Sequence, residues 1–274
     1  MSSIPQVRLG DDQLIPQIGL GVWQVPDDVA TDACLSALEL GYRHIDTAAL
    51  YGNEEGVGRA IAACGIPRDD LFITTKVWNS DHGHDRTVGA LHASLERLGL
   101  DYVDLYLIHW PTPEKDLYVD TWRAFETLLA DGRTRSIGVS NFRAQDLDRL
   151  ASEGLATPSV NQIELHPYLT QDTLRAYGAE HDIAIEAWSP LAQGKVLDDP
   201  VVTDIASRHD VDPGQVVLAW HLALGNIVFP KSVTPERIAS NFASLDVTLG
   251  VDEVEAISAL NRDDRIGPDP AAFN

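Results

Sequence analysis

Short apolar runs rich in β-branched residues alternate along the chain with longer segments whose apolar residues recur at helical spacing. Seven of these runs are distinct, and they cover residues 42–48, 71–78, 103–110, 135–141, 160–166, 183–189 and 227–232. A weaker, eighth run spans residues 243–247. In one intervening segment Trp122, Phe125 and Leu129 fall three or four residues apart, which places them on one face of a helix. The pattern therefore predicts strands that alternate with helices.

Strands separated by helices pair in parallel, and eight such units favour closure into a barrel. We therefore predict an α/β chain that folds as one domain over residues 1–274, a (β/α)8 TIM barrel. An open, doubly wound sheet is the alternative, but no G-x-G-x-x-G sequence opens a predicted helix. Upstream of the repeats, residues 7–9 and 14–16 flank a polar turn at residues 10–12, which predicts a β-hairpin that closes one end of the barrel.

The composition indicates the cellular compartment in which this barrel would function. Cys34 and Cys64 lie beside alanines in helical patterns, so we interpret them as small apolar residues in a reducing compartment. The start of the chain has neither a basic stretch nor an apolar run, and no segment reaches the roughly 20 apolar residues that span a bilayer. We therefore expect a cytoplasmic protein, with no membrane among its partners.

The formal net charge of −22 also limits the partners of the chain. So acidic a protein repels nucleic-acid backbones and anionic membrane surfaces, and we expect neither as a partner. A small molecule is the expected partner instead. A phosphorylated cofactor would approach against this field, so its site would need cations of its own.

Side chains with complementary chemistry follow the carboxyl ends of three consecutive predicted strands. Asp46, Lys76 and His109 stand at these ends, and Tyr51 follows Asp46 closely. In a parallel barrel, reactive side chains come from this rim. Taken singly, each has a structural interpretation as a cap, a solvated charge or a packing residue. The combination favours a catalytic site.

The proposed chemistry of these four groups is proton transfer to a carbonyl oxygen. A tyrosine hydroxyl has a pKa of about 10, and a nearby ammonium would lower it by stabilising the phenolate. Asp46 would keep Lys76 in place and charged. His109 would orient a substrate carbonyl by a hydrogen bond.

The chain resembles the aldo-keto reductases in three stretches spread over most of its length. These stretches are residues 41–48 with Tyr51, Glu54 and Gly58, residues 136–142, and residues 230–232 with Arg237. Phe229 stands where many members carry an aliphatic residue. Within the family, residues 47–58 and 160–167 are most similar to the bacterial 2,5-diketo-D-gluconate reductases.

The resemblance implies an NADPH-dependent reductase of aldehydes or ketones, with Asp46, Tyr51, Lys76 and His109 as a catalytic tetrad and Tyr51 as the general acid. It also implies a set of NADPH-binding residues: Ser140, Asn141, Gln162 and Trp188 at the nicotinamide, Ser189, Leu191, Gln193 and Lys195 across the pyrophosphate, and Lys231, Ser232, Val233, Thr234, Arg237 and Asn241 around the 2′-phosphate. Some relatives carry a basic residue in place of Thr234 and an acidic one in place of Ser240. Those departures bear on how strongly the cofactor is held.

Alternatives from other functional classes remain at this point. One is a barrel of the same ancestry that binds nicotinamide for regulation without turnover. Another is a metal-dependent hydrolase that uses His109, Glu164 and His166. The pair His82 and His84 has no partner at metal-ligand spacing, so we predict no metal site there.

Substrate breadth is expected to follow from short loops at the catalytic rim. The segment 111–117 is short, and little chain remains after a last helix that ends near Leu260. The predicted substrate contacts are Trp23, Trp78, Trp110 and Phe273. We therefore predict a monomer with broad activity on small carbonyl compounds, activated dicarbonyls above all. Arg265 is weighted equally as a contact for carboxylated substrates and as a surface charge.

Overall fold

The computed structural model describes residues 4–274 and shows eight parallel strands curled into a barrel with helices around it. An antiparallel hairpin precedes the barrel. Its strands are β1 (Gln6–Arg8) and β2 (Leu14–Pro16). The barrel strands are β3 (Leu20–Gly21), β4 (His44–Asp46), β5 (Phe72–Val77), β6 (Val103–Ile108), β7 (Thr134–Ser140), β8 (Val160–Glu164), β9 (Ala184–Trp188) and β10 (Ile227–Val228). Each barrel strand pairs in parallel with the next barrel strand along the chain, as the sequence predicts.

Helices follow the strands, and two of them stand between β9 and β10. The helices are α1 (Asp27–Leu40), α2 (Glu54–Ala63), α3 (His84–Leu98), α4 (Tyr118–Ala130), α5 (Ala144–Ser152), α6 (Asp172–Glu180), α7 (Pro200–His209), α8 (Pro213–Ala223), α9 (Pro235–Phe242) and α10 (Val251–Ser258). Both α7 and α8 begin with proline, whose fixed φ suits the first turn of a helix. Within residues 4–274 no helix has the length and apolar character needed to cross a membrane.

The first and last barrel strands meet, so the barrel closes. Ile18 bridges to Val228 and Gly21 to Lys231, both in parallel. At this seam a Cβ on Gly21 would lie 2.5 Å from the carbonyl oxygen of Phe229, so only glycine fits there without a shift. The close approach of these two backbones is what joins the edges of the sheet.

The prediction of an eighth strand at residues 243–247 is wrong. Residues Ala243–Asp246 form a short 3-10 helix, and the missing strand is β3, which precedes the strand of Asp46. Asp46, Lys76 and His109 therefore stand at the carboxyl ends of the second, third and fourth barrel strands. β3 has only two residues, Leu20 and Gly21, which are too few to show an apolar alternation. Its pairing depends on contacts with β4 and with the segment that follows β10.

The predicted hairpin is confirmed, and it closes the amino-terminal end of the barrel. Leu9 and Ile15 are buried in a cluster with the first residues of three barrel strands, Phe72, Val160 and Ile227. The opposite end of the barrel stays open for a site. A second, larger apolar cluster fills the space between the strands and the helices, with Trp122 and Trp220 fully buried in it as packing residues.

Candidate active site

The open end of the barrel brings the four candidate catalytic side chains together. Asp46 ends β4, Lys76 is the penultimate residue of β5, and His109 directly follows β6, where its amide extends the ladder to Val77. Tyr51 ends a short 3-10 helix, Ala49–Tyr51, that carries it back over the strands. Their convergence follows from parallel strands that all end at the same rim.

Lys76 is the centre of the cluster, and its side chain is completely buried. Its Nζ donates to Oδ1 of Asp46 at 2.6 Å and to the carbonyl oxygen of Thr47 at 2.8 Å. It also lies 3.4 Å from the hydroxyl of Tyr51. A buried ammonium is stable only when it is paired and hydrogen-bonded, and these contacts meet that condition.

Burial and charge compete in setting the pKa values of the cluster. Burial alone would lower the pKa of the Lys76 ammonium, but the charges of Asp46 and Tyr51 outweigh it, and the pKa is raised. For Tyr51 burial is the largest effect and raises the pKa of the phenol, and the Lys76 ammonium offsets only part of the rise. Lys76 thus lowers the pKa of the phenol as the sequence analysis expects, but burial, which that analysis does not include, leaves the pKa above its ordinary value. Tyr51 is a protonated phenol at neutral pH.

His109 presents a neutral imidazole to the same space. Burial lowers its pKa well below the ordinary value, and the Lys76 charge lowers it further. Its ring packs edge-on between Tyr51, at 5.7 Å between centroids, and Trp78, at 5.1 Å. A neutral imidazole of fixed orientation can donate one hydrogen bond to a carbonyl oxygen.

Four neighbouring residues at or near the ends of β7, β8 and β9 form a hydrogen-bonded group beside the cluster, to which Gln162 contributes its backbone carbonyl. Nδ2 of Asn141 donates to the carbonyl oxygen of His109 at 3.0 Å, and its Oδ1 accepts from Nε1 of Trp188 at 2.9 Å. The hydroxyl of Ser140 donates to the carbonyl oxygen of Gln162 at 2.8 Å. These residues match the set that the resemblance assigns to the nicotinamide.

A cavity of about 310 Å³ opens beside both groups. Tyr51, His109 and Gln162 line it, together with the four predicted substrate contacts. Those contacts are Trp23, Trp78, Trp110 and Phe273. Phe273 lies 4.5 Å from Trp110 and 6.3 Å from Trp78 between ring centroids, so the end of the chain forms part of an aromatic wall.

Other residues line the cavity without any earlier prediction for them. They are Gly21, Leu50, Pro190, Phe229, Gly267 and Pro268. Leu50 directly precedes Tyr51 in the sequence, and this adjacency is the one signal that the sequence offers for it. In the structure its side chain is about half exposed, at 47%. Gly21 and Pro190 give no comparable signal.

The segments expected to hold the phosphates extend from the same cavity. Ser189 and Gln193 line it, and both adopt left-handed backbone, with φ of 49° and 53°. Leu191 packs partly on the core, and Lys195 is exposed. Non-glycine residues in this conformation are uncommon and mark loops whose shape the surrounding structure imposes.

The predicted phosphate residues after β10 form a polar corner at the start of α9. Lys231 is exposed and lines the cavity, and the Ser232 hydroxyl accepts from the Thr234 amide at 3.2 Å. Arg237 donates to the Thr234 hydroxyl at 2.8 Å. The remaining residues of the set are Val233, which is exposed, and Asn241, which is partly buried. Among residues 4–274, neither Lys231 nor Arg237 takes part in an ion pair, although the protein is strongly acidic.

The tail is anchored beside the cavity by a fully buried carboxylate. The carboxylate of Glu164 accepts hydrogen bonds from the backbone amides of Ile266 and Gly267, the latter at 3.0 Å. It also lies 3.0 Å from the imidazole of His166. Arg265 lies 3.4 Å from Glu164, and it lines a separate cavity behind the tail. Glu164 is thus a tail anchor by geometry, and Arg265 does not reach the catalytic cavity. No set of three or more metal-ligating side chains occurs within residues 4–274.

Comparison with known proteins places this geometry in a family. The model described as "Aldo/keto reductase family" matches residues 17–262. An aldo-keto reductase of Mycolicibacterium smegmatis is 55% identical over 270 residues, which cover 98% of each chain. The methylglyoxal reductase DkgA of Escherichia coli is 49% identical over 275 residues, covering 100% of this chain and 99% of that protein.

Solved structures agree with the sequence comparison. A crystal structure of an aldo/keto reductase from Brucella melitensis is 56% identical, with a TM-score of 0.91, and the match covers 94% of this chain and 99% of that one. A mutant of Gox0644 in complex with NADPH is 43% identical, with a TM-score of 0.96 and full coverage of both chains. The fold and the sequence thus point to the same family.

Proposed function

The chain belongs to the aldo/keto reductase family, an NADP-dependent oxidoreductase family, and we propose that it reduces small aldehydes, ketones and dicarbonyl compounds to alcohols. One observation carries the proposal. A buried, paired Lys76 lies 3.4 Å from the hydroxyl of Tyr51, and that tyrosine lines an aromatic cavity. Binding of nicotinamide for regulation alone would not require this pairing.

NADPH supplies a hydride to the carbonyl carbon when it is bound, and the protein supplies the proton. We assign Tyr51 as the general acid, which donates its hydroxyl proton to the carbonyl oxygen as negative charge builds there. Lys76 then stabilises the phenolate that remains, and Asp46 keeps the ammonium in place. His109 orients the carbonyl oxygen by donating a hydrogen bond. Tyr51 is protonated at neutral pH, so its proton is available. Burial makes the phenol a weaker acid, and the Lys76 ammonium offsets part of this effect.

The residues around the cavity fit a dinucleotide. The indole of Trp188 offers a flat apolar face, and the amides of Asn141 and Gln162 offer hydrogen-bonding groups suited to a carboxamide. Lys231 and Arg237 are cations without an ion-pair partner among the described residues, next to the start of α9. A phosphate at a helix start gains from both the cations and the helix dipole.

For the substrate we propose small activated carbonyls, of the methylglyoxal and 2,5-diketo-D-gluconate type. The cavity is small and its walls are largely aromatic, so few polar contacts select among substrates. Three relatives at about half identity carry the name methylglyoxal reductase. We also propose that residues 1–274 act as a single domain, and that the protein is a cytoplasmic monomer.

Replacing Tyr51 with Phe tests the function directly. Only the hydroxyl is removed, so NADPH should still quench the tryptophan fluorescence with nearly unchanged affinity. The rate of methylglyoxal reduction should fall by about 10²- to 10⁴-fold, the usual contribution of a general acid. Tyr102→Phe is the matched control, because Tyr102 precedes β6 at the opposite end of the barrel and bonds to Asp69. A Tyr51→Phe enzyme that keeps half of its kcat would contradict the assignment.

A further inference from the structure

A second buried carboxylate lies next to the catalytic cluster and has no place in the proposed chemistry. Glu186 is in the middle of β9, and its side chain is completely buried. Its Oε2 accepts from Nε2 of Gln162 at 2.8 Å. The same nitrogen donates to Oδ2 of Asp46 at 2.9 Å. Gln162 thus connects Glu186 to the carboxylate that holds Lys76.

These two bonds determine which way the amide of Gln162 faces. A primary amide has two N–H donors and one carbonyl acceptor. Both donors are used by Asp46 and Glu186, while Oε1 accepts no hydrogen bond within residues 4–274. Gln162 lines the catalytic cavity, so Oε1 is the atom left to meet a ligand there. Without Glu186 one donor would lose its partner, and the opposite orientation of the amide would cost less.

We propose that Glu186 is a positioning residue that holds the amide of Gln162 with its oxygen towards the cavity, where it accepts an N–H of the nicotinamide carboxamide. The inference rests on the proposed function, because it assumes that nicotinamide lies against Gln162. Glu186 does not touch the substrate or the cofactor. It acts only through Gln162.

The charge state of Glu186 is consistent with this role. The charged and polar groups that face it are Asp46, Lys76 and the Gln162 amide. Burial and the negative charge of Asp46 raise the pKa of Glu186 to about 8. Burial raises the pKa of Asp46 as well, and the Lys76 ammonium opposes that rise. A neutral carboxyl still has an acceptor oxygen for Gln162, so the orienting bond does not need a second charge.

The test compares NADPH with reduced 3-acetylpyridine adenine dinucleotide phosphate, in which a methyl group replaces the carboxamide NH2. The wild type should bind NADPH about 3- to 10-fold more tightly, the contribution of one hydrogen bond, as measured by quenching of tryptophan fluorescence. Glu186→Leu should lose most of this preference. Glu186→Gln keeps an acceptor oxygen and should keep the preference. A purely structural role would weaken both cofactors equally in Glu186→Leu.

Two further readouts separate the possible failures. If Glu186→Leu does not fold, Glu186→Ala takes its place: it also removes both carboxyl oxygens and should lose the preference, and an Ala variant that keeps the wild-type preference would overturn the inference. A wild type that shows no NADPH-dependent turnover of methylglyoxal would refute the proposed function. A Glu186→Leu enzyme that turns over and keeps the wild-type preference would refute only the role of Glu186.

Discussion

Tyr51 shows how two opposing effects meet at a single side chain. The Lys76 ammonium stabilises a phenolate, and this effect alone would lower the pKa of the tyrosine. Burial disfavours the phenolate more strongly, and the pKa of Tyr51 is raised. For a residue that is to give up a proton, this balance keeps the acid form populated. The ammonium then acts mainly on the phenolate that forms during proton transfer.

Arg237 carries a prediction about the choice of cofactor. Arg237→Ala should reduce the affinity for NADPH by about 10-fold or more, because a charge-assisted hydrogen bond to the 2′-phosphate is lost. The affinity for NADH should hardly change, since NADH has no 2′-phosphate. Fluorescence titration of both cofactors measures the difference.

The control for this prediction is Arg133→Ala. Arg133 also lacks an ion-pair partner among the described residues, but it precedes β7 at the amino-terminal end of the barrel, away from the cavity. The Arg133→Ala variant should bind NADPH and NADH with the affinities of the wild type. Equal losses of NADPH and NADH affinity in Arg237→Ala would show that Arg237 does not recognise the 2′-phosphate.

Among the elements, the tail after α10 is held in place by contacts with residues distant in sequence. Its base is tied to Glu164 at the end of β8, and a Cβ on Gly267 would lie 2.3 Å from the Trp188 ring. Its tip returns to the loop after β6, where Asn274 accepts from the amide of Glu114 at 2.8 Å. The tail therefore spans the cavity between two strand ends, and Phe273 lies within that span.

Deleting the residues after Gly267 should raise KM for most carbonyl substrates and leave the affinity for NADPH largely unchanged. The anchor at Glu164 stays intact in this variant, whereas the aromatic contact of Phe273 is lost. Steady-state kinetics on a panel of methylglyoxal, diketogluconate and aromatic aldehydes measures the effect. Phe273→Ala should reproduce most of the rise in the full-length chain. Wild-type KM values across the panel would mean that the tail makes no contribution to substrate binding.

At the scale of the whole molecule, the candidate catalytic residues lie at one end of the barrel, and the first and last barrel strands join at one seam. The hairpin covers the amino-terminal end of the barrel, and the cavity opens at the carboxyl ends of the strands. The net charge of −22 acts against an anionic cofactor, while Lys231 and Arg237 supply local positive charge near that rim. The seam between β3 and β10 holds the rim together, and it places Gly21 in the cavity wall.

Gly21→Ala should destabilise the protein, because the added methyl group meets the carbonyl oxygen of Phe229 at the seam. We expect the free energy of unfolding to fall by about 1–3 kcal/mol, the usual cost of overpacking. Gly89→Ala is the control: Gly89 is in α3, and nothing lies within 4 Å of its added Cβ. That variant should gain about 0.5–1 kcal/mol from helix propensity. Urea unfolding measures the free energy of unfolding of both variants. A Gly21→Ala protein as stable as the wild type would show that the seam accommodates the methyl group without loss of stability.

Much of the fold and part of the site could be predicted from the sequence. The alternation of apolar runs with helical segments predicts the barrel, because residues that repeat locally must face the same core. The same runs place Asp46, Lys76 and His109 at strand ends, and parallel strands then bring them to one rim. The pattern does not indicate the first barrel strand, since Leu20 and Gly21 are too few to show a period. It wrongly predicts a strand at residues 243–247, because a short apolar run does not distinguish a strand from a helix.

The sequence by itself thus determined the class of fold, the order of the strand-end residues and the acidic field around them, since each depends on composition or on neighbours along the chain. Only the tertiary structure decided the seam at Gly21, the anchoring of the tail by Glu164 and the contact of Glu186 with Gln162. It also decided the direction of the Tyr51 pKa. All of these depend on groups that are distant in sequence and on how far water is excluded between them, and neither quantity is written in a local pattern.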